Sequence, residues 1–209
     1  MDYTFWLWLA AVPAVLVGQI YLLGRRMSEP EKMIRPLTGG LIPSQAGVIA
    51  HYQDWLTSAQ LEYRTCFRFG SILAVVYQQG NAPRFFSFYF HRKLTFSMES
   101  YLEDLTILDT STSGNGDLFP RPGAYRQSFP GLSAQEAWQR HIEGEQHLSN
   151  KFGYSWVPLQ KPCEQLLPEA VRVRMKYNRS QLFWPVRVLC RYFVSPSRVK
   201  NKSIVQQFP

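Results

Sequence analysis

At Leu61 the hydrophobic period of the chain changes from 3.6 to 2, and this change limits the fold more than any other feature. Leu61, Tyr63, Thr65, Phe67 and Phe69 alternate with Glu62, Arg64, Cys66 and Arg68, the pattern of a half-buried strand. Gly70-Ser71 separates it from Ile72–Tyr77, a continuous apolar run suited to a strand covered on both faces. The turn Gly80-Asn81-Ala82-Pro83 leads into Phe85-Phe86-Ser87-Phe88-Tyr89-Phe90, and Leu94–Met98 and Leu105–Leu108 are the next candidates. Consecutive strands joined by short turns predict an antiparallel β-meander of four or five strands. A sheet this aromatic needs cover, most simply from helices on either side.

Ser44 is placed to cap a helix running to about Ser58, with Val48, Tyr52, Trp55 and Ala59 on one face. Ser133-Ala134-Gln135-Glu136 fits a capping box and opens a helix to about Ser149. Further on the signals conflict. Pro168-Glu169 resembles a helix start, whereas Val171 to Tyr177 alternates like a strand with one basic face, and both alternatives stay open. From Asp109 a small polar loop, DTSTSGNG, is followed by the breakers of FPRPG and FPG up to Gly131. So long a stretch without regular structure is either a functional surface or, preferably, an extended segment covering the sheet edge.

Tyr3–Leu23 carries no charge. At about 1.5 Å per residue it is roughly 31 Å long, the thickness of a hydrocarbon core. Trp6, Trp8 and Tyr21 lie toward its ends, and no basic residue precedes it as in a signal peptide. The expectation is a transmembrane helix over residues 1–26. Arg25 and Arg26 would then form its cytoplasmic flank, with the N-terminus outside and the bulk of the chain cytoplasmic. Residues 27–43, with Pro30, Pro36, Gly39, Gly40 and Pro43, read as a linker. The fold class expected is α+β: a single N-terminal spanning helix, one domain over 44–170 and a basic segment over 171–209.

That last segment holds the whole charge excess. The chain has 23 Lys+Arg against 15 Asp+Glu, a net charge of +8. Nine of the basic residues and none of the acidic ones fall after Ala170. Arg172, Arg174, Lys176, Arg187, Arg191, Arg198, Lys200 and Lys202, with Trp184 and the Arg25–Arg26 pair, are the residues expected to meet a membrane or partner. The partners this suggests are anionic lipid of a bilayer and acidic faces of membrane-protein subunits. Nucleic acid is disfavoured, because no recognised binding signature accompanies the basic residues.

Motifs for chemistry are sparse. His141 and Glu145, and Glu143 and His147, are i, i+4 pairs on the capped helix. The two pairs point about 160° apart and do not share an ion, so they read as solvated ion pairs. Cys66, Cys163 and Cys190 form no C-x-x-C pair. Cys66 and Cys190 read as small core residues, and Cys163, in an expected loop, as the candidate reactive thiol. Glu103 and Asp104 are adjacent and would point apart. There is no G-x-S-x-G, Walker A or G-x-G-x-x-G motif, and neither a metal nor a cofactor is expected. The function expected is a non-catalytic accessory or scaffolding subunit of a membrane assembly. The alternative is a tethered enzyme or small-ligand-binding domain with a pocket between the sheet and the 109–131 loop. A pocket lined by His51, His91, Glu103 or Cys163 would favour that alternative.

Overall fold

Strands that follow one another in the chain also lie side by side in space. The computed structural model describes residues 3–26, 34–37, 39–102, 104–113, 121–157, 161–186 and 201–209. They contain β1 (Ile34–Pro36), β2 (Leu61–Phe69), β3 (Ile72–Gln79), β4 (Arg84–Phe90), β5 (Leu94–Tyr101), β6 (Ile107–Ser111) and β7 (Ala124–Ser128), joined in that order into one sheet. Neighbours from β1 to β6 are antiparallel, and β7 runs parallel to β6.

The expected meander of four or five strands is therefore corrected to a seven-stranded mixed sheet. Both added strands are edges with weak signals. Within the 27–43 linker, Ile34 to Pro36 pairs with Phe69 to Phe67, and Pro36, which has no N–H, suits an edge. Within the expected 109–131 loop, Ala124–Ser128 (AYRQS) lacks the apolar alternation that marks a strand.

The transmembrane helix is also corrected. Residues Tyr3–Arg26 form a helix, α1, but among the described residues no helix is long and apolar enough to cross a membrane. Pro13 lies inside α1 without an N–H to donate, and the Gln19 amide further interrupts the apolar run.

One face of the sheet is fully covered. Helices α2 (Pro43–His51), α3 (Gln53–Ser58) and α4 (Ala134–Phe152) pack on Leu73, Val75, Phe86, Phe88, Phe96 and Met98. The helix expected over Ser44–Ser58 is two, parted at Tyr52, and the first begins after Ile42, whose N–H donates to the Gln45 side chain. The predicted capping box is present: Ser133 accepts from the Glu136 N–H, and the helix ends at Gly153 with φ 71°. Trp55 meets Phe86 edge-on at 4.9 Å, and Phe86 meets Phe88 at 5.0 Å, a geometry that aromatic quadrupoles favour. Short α6 (Ile204–Gln207) extends this layer. Ile204 is fully buried, and with Gln127 and Leu108 it approaches Gly144 of α4.

Among the described residues the opposite face carries one helix, α5 (Cys163–Ser180), which settles residues 171–177 as helical. Its Cys163, Leu166, Leu167, Ala170 and Val173 recur at helical spacing and pack on Phe67, Ala74, Val76, Phe85 and Ile107. The strict alternation read in β2 is broken by a β-bulge between Tyr63 and Thr65. As a result Leu61 joins the core under α2–α4, whereas Phe67 joins the core under α5.

Phe86 is wholly enclosed in this arrangement, and Tyr63 is 56 % exposed. Phe86→Ala is expected to lower unfolding free energy by about 3–5 kcal/mol in chemical denaturation, and Tyr63→Ala by about 0.5 kcal/mol or less.

Candidate functional site

On the face that α5 shares, the register sets charged residues of three strands in one row. Glu99 of β5 lies opposite Asp109 of β6, and Asp109 lies beside Arg126 of β7. Like charges directly opposed across strands are destabilising. Here the neighbours offset the repulsion. Arg126 Nη1 is 3.0 Å from Asp109 Oδ2, Ser97 donates to Asp109 Oδ1 at 3.1 Å, and the Tyr101 hydroxyl donates to Glu99 Oε2 at 2.5 Å. Burial first, then the Asp109 charge, push the Glu99 carboxyl up to about 6. Burial likewise raises the phenols of Tyr89 and Tyr101, which remain hydrogen-bond donors at neutral pH.

Above this row lies a cavity of about 210 Å³ between the sheet and α5. Its walls are largely apolar, with Phe67, Phe69 and Ile107 below and Leu167, Ala170 and Val171 above. One end is charged, with Glu99, Arg126 and Arg174, while Arg121 donates to the Leu105 carbonyl beyond the start of β6. Leu167, Ala170, Val171 and Arg174 stand at i, i+3, i+4 and i+7, so one stripe of α5 supplies both the apolar roof and a guanidinium. A polar cleft of about 460 Å³ adjoins the charged end and shares Ile72, Tyr89, Glu99, Arg126 and Arg174 with the cavity. It continues to His91, Arg92 and Lys93 in the turn between β4 and β5.

A second polar cluster lies on the covered face. With the His141 proton on Nε2, all its donors and acceptors agree. Gln127 donates to Thr110 at 2.8 Å, and Thr110 to His141 Nδ1 at 2.8 Å. His141 Nε2 then donates to Ser100 at 2.7 Å, and Ser100 to Glu145. Arg84 Nε closes the chain on Glu145 at 2.6 Å. This is not a nucleophilic triad, because the carboxylate takes the serine proton directly instead of orienting the imidazole from its far nitrogen. Ser100, His141 and Glu145 are all buried. Burial foremost, with the Arg84 charge, pushes the His141 imidazole down to about 3 and keeps it neutral. The pair expected to be a solvated surface contact is thus an internal brace that ties α4 to β5 and β6. Among the described residues no group of three or more His, Cys, Asp or Glu converges for a metal ion.

The other sequence-derived candidates are scattered. Cys163 is buried at the start of α5, and burial foremost, followed by Glu164 and Glu99, pushes its thiol up to about 12, so it is not a reactive loop thiol. His51 is exposed beside Tyr52, Glu103 lies outside the described residues, and His91 lines the polar cleft. Of the basic residues, Arg174 faces the cavity, while Arg172 and Lys176 are exposed on the outer side of α5. Lys202 is exposed just before α6, Trp184 is buried with its ring 6.4 Å from that of Tyr21, and Arg25 and Arg26 end α1. Arg187, Arg191, Arg198, Lys200 and Cys190 lie outside the described residues. Glu99, Asp109, Arg126, Tyr89 and Tyr101 were not among the sequence candidates. The signal for Glu99 and Asp109 was a lone carboxylate inside a strand-like run, as in SMESY and ILDTS.

The chain matches no known family model, no curated protein and no solved structure, so its function is argued from this site alone.

Because the Glu99 carboxyl binds its proton more tightly in the folded chain (about 6) than in the unfolded one (near 4.5), its contribution falls as pH rises through that window. Glu99→Gln is expected to gain about 1–2 kcal/mol over the parent at pH 7.5. The gain should vanish below pH 4.5, as checked by urea unfolding at both pH values.

Proposed function

We propose that the protein is a non-catalytic binding domain for a small amphipathic molecule held between the sheet and α5. Of the two functions drawn from the sequence, the ligand-binding one has a specific observation behind it: an apolar cavity of about 210 Å³ with Glu99, Arg126 and Arg174 in its lining. The 109–131 stretch supplies part of its wall through Arg121, Ala124 and Arg126, while α5 supplies the roof. On the opposite face Phe86, Phe88, Met98 and Leu56 are fully buried. Binding rather than turnover is the better match, because Asp109 is engaged by Ser97 and Arg126 and Glu99 by Tyr101.

The neutral fluorescent probe N-phenyl-1-naphthylamine is expected to bind the full chain at one site with enhanced emission. Ala170→Trp from the roof, or Ala124→Phe from the floor, should weaken binding at least tenfold while the thermal midpoint stays within a few degrees. Absence of saturable binding to the parent, or unchanged affinity in both folded variants, would contradict a ligand cavity here.

A further inference from the structure

Beside the apolar cavity, the face that bears α5 carries a hydroxyl on each strand from β4 to β7. Ser87 is opposite Ser97, Ser97 is opposite Ser111, and Ser111 is beside Ser128, so four serines share one row. Ser87, Ser97 and Ser128 are buried and Ser111 is half-buried. A pleated surface favours β-branched and aromatic side chains, which pack against their neighbours, and serines in register leave room that those would fill. A local rule broken in this way marks places where a site is built. The polar cleft of about 460 Å³ lies here, with Ser97, Ser111, Thr95 and Ser113 in its lining. It has more than twice the volume of the cavity that it joins at Ile72, Tyr89 and Glu99. The carboxylates of Glu99 and Asp109 stand in the same lining, and Arg126 is turned to Asp109 at 3.0 Å. At the end of the row Ser128 Oγ is buried and, among the described residues, has no hydrogen-bond partner.

Resting on the binding function proposed above, we infer that the ligand has an apolar tail in the cavity and an uncharged head bearing several hydroxyls, of the monosaccharide class, in the cleft. Each hydroxyl of such a head both donates and accepts, as do those of Thr95, Ser97, Ser111 and Ser113, so head and floor match at many points. Glu99 and Asp109 accept from the same hydroxyls, whereas a carboxylate head has no proton to give them and would meet them as a like charge. The volume of the cleft also suits a head much larger than a single hydroxyl or carboxylate. A plain alkyl alcohol would fill the apolar walls and leave this floor to water. A free sugar would cover the floor and leave the walls empty.

The test is displacement of bound N-phenyl-1-naphthylamine from the full chain at pH 7.5 by octyl β-D-glucoside, 1-octanol, octanoate and glucose, each below its micellar concentration. The glucoside is expected to compete at least tenfold better than octanol or octanoate, because a site built to hydrogen-bond hydroxyls discriminates against analogues that lack them. Glucose alone is expected not to displace the probe. Thr95→Val keeps the shape of the side chain and removes its hydroxyl, and Ser111→Ala removes one from the serine row. Each is expected to weaken the glucoside several-fold and to leave octanol unchanged. Octanoate competing as well as the glucoside, or a glucoside no better than octanol, would overturn the assignment of the head and leave the cavity itself standing. So would a tenfold advantage that survives both substitutions in folded protein. Failure of the probe and of every competitor to bind would overturn both.

Discussion

A β-sheet has two faces, and the helices of this chain cover them unequally. Three helices and a short C-terminal one close the side that bears Phe86, Phe88 and Met98. Among the described residues one helix, α5, sits over the other. Hydrophobic burial drives both contacts, but one helix covers only a strip of a sheet seven strands wide. Beyond that strip the same face changes from apolar to polar residues, and the cavity lies along the boundary.

The row Glu99–Asp109–Arg126 follows from this. Sheet register fixes which side chains are opposed, so two carboxylates on neighbouring strands are forced together once the hydrophobic pattern has set the pairing. Such an opposition is unfavourable for folding and persists only where neighbours satisfy it. Arg126, Ser97 and Tyr101 do so. The contrast with the His141 cluster is informative. That network is sealed and ordered from Gln127 to Arg84, and its imidazole is neutral, as expected of a brace. The Glu99 row opens into space, and burial with the Asp109 charge raises its carboxyl to about 6.

Much of the fold was legible in the chain. The bounds of β2 were read as they stand, β3 to β5 were placed from aromatic and β-branched runs, and Ser133–Glu136 announced α4. The edge strands were not legible, because three residues ending in proline and five with little apolar alternation carry no period to detect. The bulge in β2 was hidden for a different reason. It moves the residues after it to the other face, while the sequence pattern of large and polar residues runs through it without a break. Residues 171–177 alternated over too short a window, and the helical spacing that decides them begins at Cys163. The candidate site was largely illegible. Positive charge after Ala170 was visible, but only register brings Glu99, Asp109 and Arg126 together, and only the helix turns Arg174 toward them.

The central claim is that a small amphipathic molecule occupies the space between α5 and the sheet. A crystal structure of the full chain grown with decanoate tests it most directly. The account predicts the alkyl chain against Phe67, Ile107 and Leu167. Side chains of the chain itself filling that space, or decanoate seated on another surface, would contradict it.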